Sequence, residues 1–289
     1  MKCSSLLLVF GVLLPSFHLH CAAFKYRDSR HHGRSLLEAE NTIDEVRHHR
    51  YRRNVPIINN TECQNESLSC NDTTTQEDHK YYVSQIIKNG QEYWINVRGN
   101  KNHKVHPYLS DSYLLRQTHK LSFQFPYYGH LLNEVMLTTG GFLYMDVHDT
   151  KLMTQVQYLA PLMAYFNPHL SKDSKVYTLD DESKLTVEWY NVHLHVHENA
   201  TDKPFTFQCT LHKDGRIWFA YKQIPIEVGK IPSLPYHPVK VGIADAFVIR
   251  HLDTRRNILF RYFYIYSAIN ISKDSVVNNA AVIFQPLLS

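Results

Sequence analysis

Apolar and polar residues alternate through the middle of the chain with the two-residue period of a half-buried strand. Phe205, Phe207, Cys209 and Leu211 fall on one side and Thr206, Gln208 and Thr210 on the other, because successive strand side chains point to opposite faces. Asp214-Gly215 and then Ile217 to Tyr221 follow. An Asp-Gly pair supplies the positive φ angles of a tight turn, so the pattern predicts a β-hairpin. Upstream, Leu185, Val187 and Trp189 alternate with Thr186 and Glu188, but the next apolar positions are Val192, Leu194 and Val196. A period-two strand changes faces only by inserting a residue, which places a bulge near Tyr190-Asn191. Residues 176–179 and 184–187 read as the arms of another hairpin around Asp180-Asp181-Glu182. Shorter runs over 121–125, 134–138, 142–145, 239–243 and 258–266 complete the set, and helix-period stretches are scarce. The expected fold is all-β, an antiparallel β-sandwich or a partly closed barrel, over residues 79–289.

The chain before this region follows other rules. Lys2 precedes an apolar run over residues 5–14, and Cys21-Ala22-Ala23 offers small residues at the cleavage-determining positions. The run is too short to span a bilayer and reads as a signal peptide over residues 1–23. Residues 24–55 are polar and basic, with clusters over 30–34 and 47–53. Such a stretch cannot bury enough apolar surface to offset chain entropy, so a disordered basic arm is expected. Residues 24–78 together form a linker. Within it Arg50, Arg52 and Arg53 resemble a furin-type processing site, with cleavage after Arg53. The competing expectation is a solvated basic patch that attracts a heparin-like polyanion.

Composition changes the picture in one respect. The 289 residues carry a net charge of +4, with 44% hydrophobic and 20% charged positions, which excludes wholesale disorder. Secretion gives meaning to the sequons at Asn59, Asn65, Asn71, Asn199 and Asn270, each a candidate glycan site. Three of them crowd into the linker. Cys3 and Cys21 would leave with the signal peptide. Cys63 and Cys70 lie close enough in sequence to close a small disulfide loop, and Cys209 sits on an apolar strand face as a small buried hydrophobe.

The chemistry of catalysis is sparse in the sequence. It contains no nucleophile elbow, His-Glu-x-x-His, Cys-x-x-Cys, EF-hand loop or phosphate-binding glycine loop. Gly140-Gly141 reads as a tight turn. His193, His195 and His197 alternate along a strand and could converge on zinc or copper, with Glu198 nearby. Against that, Val192, Leu194 and Val196 give the opposite face a complete core role and leave the histidines as an ordinary polar face. Asp180-Asp181-Glu182 has the hard oxygens calcium needs, although acidic residues at a turn require no metal. The many tyrosines, Tyr127, Tyr128, Tyr262, Tyr264 and Tyr266 among them, suit core and sheet-face packing. No cofactor and no enzymatic activity are expected.

Several longer motifs occur in order: residues 121–130, Thr139-Gly140-Gly141-Phe142, residues 157–168, residues 205–221 with Ile224-Pro225, and His237-Pro238-Val239-Lys240-Val241-Gly242. Together, over roughly residues 93–266, they resemble the plexin domain-containing protein family, also called tumour endothelial marker 7-related proteins, with a core similar to the nidogen-type extracellular domain. The resemblance implies a single-pass cell-surface glycoprotein with a cysteine-rich plexin repeat and a transmembrane helix. It also implies roles in matrix adhesion and in reception of a serpin-type ligand, pigment epithelium-derived factor. This chain stops at Ser289 before either a repeat or a membrane helix. It is therefore expected to be secreted, or a cell-membrane protein if the full-length form continues. The leading expectation is a non-enzymatic extracellular module binding matrix or a secreted protein, with no nucleic-acid partner and with the ligand-binding residues left open. The alternative is a secreted metal-binding protein or metalloenzyme built on the three histidines.

Overall fold

The computed structural model describes residues 23–27, 74–146, 153–195, 203–253, 255 and 258–287. One sheet has seven strands: β1 (Ala23–Arg27), β5 (Arg116–Tyr127), β6 (His130–Thr138), β7 (Leu143–Tyr144), β8 (Tyr158–Met163), β13 (Lys240–Asp253) and β14 (Ile258–Asn270). They lie in the order β1-β14-β13-β8-β7-β6-β5. The second sheet has eight: β2 (Thr74–Asp78), β3 (Tyr82–Ile87), β4 (Lys104–Val105), β9 (Lys175–Asp180), β10 (Lys184–Val192), β11 (Phe205–His212), β12 (Ile217–Gln223) and β15 (Ala281–Pro286). Their order is β2-β3-β15-β12-β11-β10-β9-β4. Every neighbouring pair is antiparallel, and the only α-helix among the described residues is the single turn α1 (Pro107–Ser110). The fold is a sandwich, not a closed barrel.

The core lies between the sheets and follows the alternation. Phe205, Phe207, Cys209 and Leu211 meet Phe125, Leu137, Leu143 and Leu159 there, all of them sealed from solvent. Cys209 is a free, buried thiol, and burial pushes its ionisation well up. Polar tips inside the core find backbone partners across the gap. Trp189 Nε1 donates to the Thr138 carbonyl at 2.8 Å, and the Tyr221 hydroxyl to the Pro161 carbonyl at 2.8 Å. At one end Tyr81, Tyr128 and Tyr266 pack edge to face. Beside them Tyr266 donates a hydrogen bond to buried Asp245, whose carboxyl is pushed above its ordinary range by desolvation. Gly141 is the tightest point of the Gly-Gly turn: its φ is +76°, and a Cβ there would lie 2.2 Å from the Leu162 carbonyl oxygen.

The predicted bulge is present. Register shifts between Trp189 and Val192, and Asn191 takes a φ of 51°. The β11–β12 hairpin is also present, with a different turn. Only Gly215 has positive φ, at +90°, and His212 N–H bonds the Arg216 carbonyl. Lys213, Asp214 and Gly215 therefore make a three-residue loop with glycine in the left-handed position. Asp180-Asp181-Glu182 is a turn in which Asp181 Oδ1 accepts from Ser183 and Lys184. The structure adds two strands within stretches read as linker or arm, β1 and β2. Gln76 to Asp78 are exposed, so β2 is held by backbone pairing to β3 and shows no apolar period.

Both outer faces of the sandwich are covered. On the second sheet Thr186, Glu188, Gln208 and Thr210 are at most 1% exposed, beneath residues 91–106. Gln208 bonds both the N–H and the carbonyl of Ile95, at 3.0 and 2.8 Å, and also donates to Glu188. The other Glu188 oxygen accepts from Arg98 Nε at 3.0 Å, and the Arg98 guanidinium lies over Tyr190. On the first sheet Met136, Phe142, Tyr144, Tyr158, Ala160, Met163 and Ala244 form a second buried cluster, against which Met153 packs. Lys240 lies over the Tyr158 ring and donates to the Thr154 carbonyl at 2.8 Å.

Candidate functional site

The bulge in β10 decides what the end of that strand presents. After Asn191 the parity is inverted, so Val192 and Leu194 enter the core while His193 and His195 remain half-buried. Leu194 bridges to Phe166. His195 N–H bonds the Tyr165 carbonyl at 2.7 Å, and Asn167 N–H bonds the His193 carbonyl at 2.8 Å. The chain after β8 is thereby zipped to the chain after β10.

Four rings stack along this rim. Tyr165 and His237 are almost parallel, 3.9 Å apart with 7° between planes. His195 lies 4.4 Å from Tyr165 with its plane tilted by 30°, and Tyr113 stacks on His195 at 5.4 Å. His237 is delivered by a tight turn, Leu234-Pro235-Tyr236-His237, closed by reciprocal 3.1 Å backbone bonds. Proline at its second position presets the required φ. The turn leaves Tyr236 84% exposed at its tip.

Asn167 Oδ1 accepts from the His169 N–H, which leaves its Nδ2 to face His195 Nδ1 at 3.0 Å. The amide then donates and the imidazole accepts, so the His195 proton belongs on Nε2. His237 is held below the ordinary histidine range by desolvation and by His195.

Beside the stack is a cavity of about 130 Å³ with walls from Thr139, Gly140, Phe142, Met163, Tyr165 and His237. Leu114 and Leu115 stand at its edge, 51% and 41% exposed, next to Tyr113 at 44%. They are fixed where β5 begins, since Leu115 N–H bonds Thr139 Oγ1 at 3.2 Å and its carbonyl accepts from Thr139 N–H at 3.0 Å. Three segments carrying the family resemblance, residues 139–142, 157–168 and 237–242, converge on this one cavity.

The sequence-predicted site residues separate here. Among the described residues no group of three or more His, Cys, Asp or Glu side chains is placed to hold a metal ion. His197, with Asn59, Asn65, Asn71, Asn199, Cys63, Cys70, Arg50, Arg52 and Arg53, lies outside the described residues. Asn270 is exposed at the end of β14, open to glycosylation. Ser122, Asp180 and His119 also meet: His119 Nε2 lies 3.2 Å from one Asp180 oxygen and Ser122 Oγ donates to the other. A nucleophile needs its hydroxyl on the imidazole. Here both groups address the carboxylate, and the arrangement braces β5 against β9. Tyr113, Leu114, Leu115 and Tyr236 were missed from the sequence. Their only signal is an apolar triplet and a Pro-Tyr turn tip outside any strand period.

Two stacked antiparallel sheets with an aromatic rim define an all-β sandwich module, and no solved structure matches the chain. The pattern of the NIDO-related family matches residues 86–286. The chain belongs to that family, whose nidogen-like core is an extracellular type of module. No helix among the described residues is long and apolar enough to cross a membrane.

Proposed function

We propose that the domain is a non-catalytic extracellular binding module that takes a protein ligand on the aromatic rim. The observation that carries this reading is the continuity of Tyr113, Leu114, Leu115 and Tyr236, all more than two-fifths exposed, with the ring stack and its cavity. Large apolar side chains left exposed together are a mark of interaction surfaces, and tyrosine supplies contact area at low entropic cost with a polar tip. The ligand classes implied by the resemblance to the plexin domain-containing family, matrix proteins and a serpin-type secreted factor, are the ones to present first.

The test is binding of the secreted chain to decellularised matrix and to a purified serpin of that type, compared with a Leu114→Glu, Tyr236→Ser variant. Both positions are exposed, so the fold should be retained. Loss of binding to either ligand by about tenfold or more is expected of an anchor pair at an interface centre. Equal binding by the variant would remove the rim from the ligand site.

A further inference from the structure

An open sheet edge invites pairing with another chain, and four strands end the two sheets: β1 and β5 in the first, β2 and β4 in the second. Three of them are blunted. β5 loses its register with β6 between Lys120 and Phe125, and its Ser122 N–H is taken by Asp180 Oδ2 at 3.0 Å. β4 is two residues long, and β2 is Thr-Thr-Gln-Glu-Asp, without an apolar residue. β1 differs from these. It is Ala-Phe-Lys-Tyr-Arg, and it pairs antiparallel with residues 260–264 in the middle of β14.

The strand under β1 is of another kind. Residues 258–266 read Ile-Leu-Phe-Arg-Tyr-Phe-Tyr-Ile-Tyr, with Arg261 the one charge among aromatic and branched residues, a composition that promotes strand pairing. On its other side β14 pairs with β13 from Ile258 to Asn270, so it keeps its form without β1. β1 brings Lys25 and Arg27 to the border of the sheet, the charged guard that natural edge strands carry.

The attachment of β1 is equally particular. Residues 28–73 join it to β2, and the candidate processing site at Arg50, Arg52 and Arg53 falls inside that connection. Residues 24–53 contain no cysteine, and Cys63 and Cys70 both lie beyond the cleavage point, so no disulfide can retain the fragment. A tethered strand acts at an effective concentration on the order of millimolar. Once cut free it binds as a separate peptide through a ladder of five residues, or of four once a signal peptide through Ala23 is gone, and dilution drives it off.

We propose that residues 24–27 are a removable guard strand, that cleavage after Arg53 releases it, and that the uncovered edge of β14 pairs with the same edge of a second copy. A two-fold antiparallel pairing centred on Tyr262 sets residues 258–266 of one protomer against residues 266–258 of its partner. It opposes Arg261 to Phe263 and not to a second arginine, which avoids a like-charge pair. Asn270 stays four residues past the end of that ladder, leaving room for a glycan. The pairing is isologous and uses up both open edges at once, so it closes at a dimer. It involves none of the residues of the aromatic rim and does not depend on what the rim binds.

The experiment compares three forms of the secreted chain by light scattering after gel filtration. They are the full chain treated with a furin-type convertase, the uncleavable Arg50→Ala, Arg52→Ala, Arg53→Ala variant, and a chain with the signal peptide joined directly to Asn54. Backbone hydrogen exchange over residues 258–266 is followed in each. The uncleavable form is expected at the monomer mass. The other two are expected at about twice that mass, free of the 24–53 fragment and with the amides of β14 still protected. Excess synthetic peptide of residues 24–30 should return both to monomer by competing for the edge. Resistance of the full chain to the convertase, or a fragment that stays bound through gel filtration, overturns the release step. Monomeric processed chains overturn the pairing, as does a dimer that the peptide leaves intact. Binding of a matrix protein by a processed monomer, with new protection over 258–266, gives the edge to a different chain and overturns the second copy.

Discussion

The outer face of the second sheet is lined by Thr186, Glu188, Gln208 and Thr210 beneath residues 91–106, whereas Met136, Tyr144, Tyr158 and Met163 line the first. In the first case burial is tolerable because each polar group is answered: Gln208 takes both backbone groups of Ile95, and Glu188 takes Gln208 and Arg98. Such bonds are directional and fix the covering segment in one place. In the other case dispersion and hydrophobic burial hold the face, and side chains such as Met136, Met153 and Met163 adapt to changes in shape. Met153 and Met163 also line the rim cavity. The adaptable cover therefore borders the proposed ligand face, and the rigid one lies elsewhere.

Breaking the polar cover should cost most. Gln208→Leu leaves the Ile95 N–H and one Glu188 oxygen without a partner, while the Ile95 carbonyl keeps only the Val97 N–H, and denaturant unfolding should show a loss of about 3 kcal/mol. On the apolar side Met163→Ala removes packing without orphaning a polar group. The expected loss is about 2 kcal/mol, with the midpoint moving and the slope unchanged. A Met163 loss exceeding that of Gln208→Leu would reverse the comparison.

Acid sharpens it further. His212 shares the outer face of the second sheet, and its folded pKa of about 4 is below the unfolded value of 6.5. The unfolded chain binds the proton first, so stability is full above about pH 6.5 and falls as pH drops toward about 4, by about 1–3 kcal/mol in all. Melting temperatures across that window should slope less steeply in His212→Phe. An equal slope would place the acid sensitivity elsewhere. The smallest effect belongs to Lys240 on the apolar side, whose ammonium is held below its ordinary range by desolvation. The cost of burying that charge is fully present near neutrality and is relieved as pH rises toward 10.5, where the unfolded chain still holds the proton that the folded chain has lost. Near neutrality Lys240→Met should change stability by no more than about 1 kcal/mol, read by the same unfolding assay.

Much of the fold was legible because one buried face per strand leaves an alternating trace, as in β10 and β11. The bulge at Asn191 was legible for the same reason, as a break in parity. β8 left no such trace. Its residues are buried on both sides, so alternation vanishes, and Pro161 argues against a central strand. The structure accommodates the proline where β8 and β13 lose register between Lys240 and Gly242. The cover over residues 91–106 has no period because its bonds come from the backbone of Ile95 and from Arg98. The rim was illegible as a site, since Tyr113, Tyr165, His195 and His237 become neighbours only after both sheets form. Of the alternating histidines, His195 joins the ring stack.

The placement of β2, β3 and β15 has a mechanical consequence. Thr74 pairs with Ile87 at one end of β3, while Pro286 pairs with Tyr82 at the other. Tension applied between residues 74 and 287 would drag β2 and β15 in opposite directions along β3, loading the rungs of the ladder together instead of opening them one after another. A module strung between two anchors by those residues resists pulling in shear, and its lifetime under load is set by the rate of that concerted rupture.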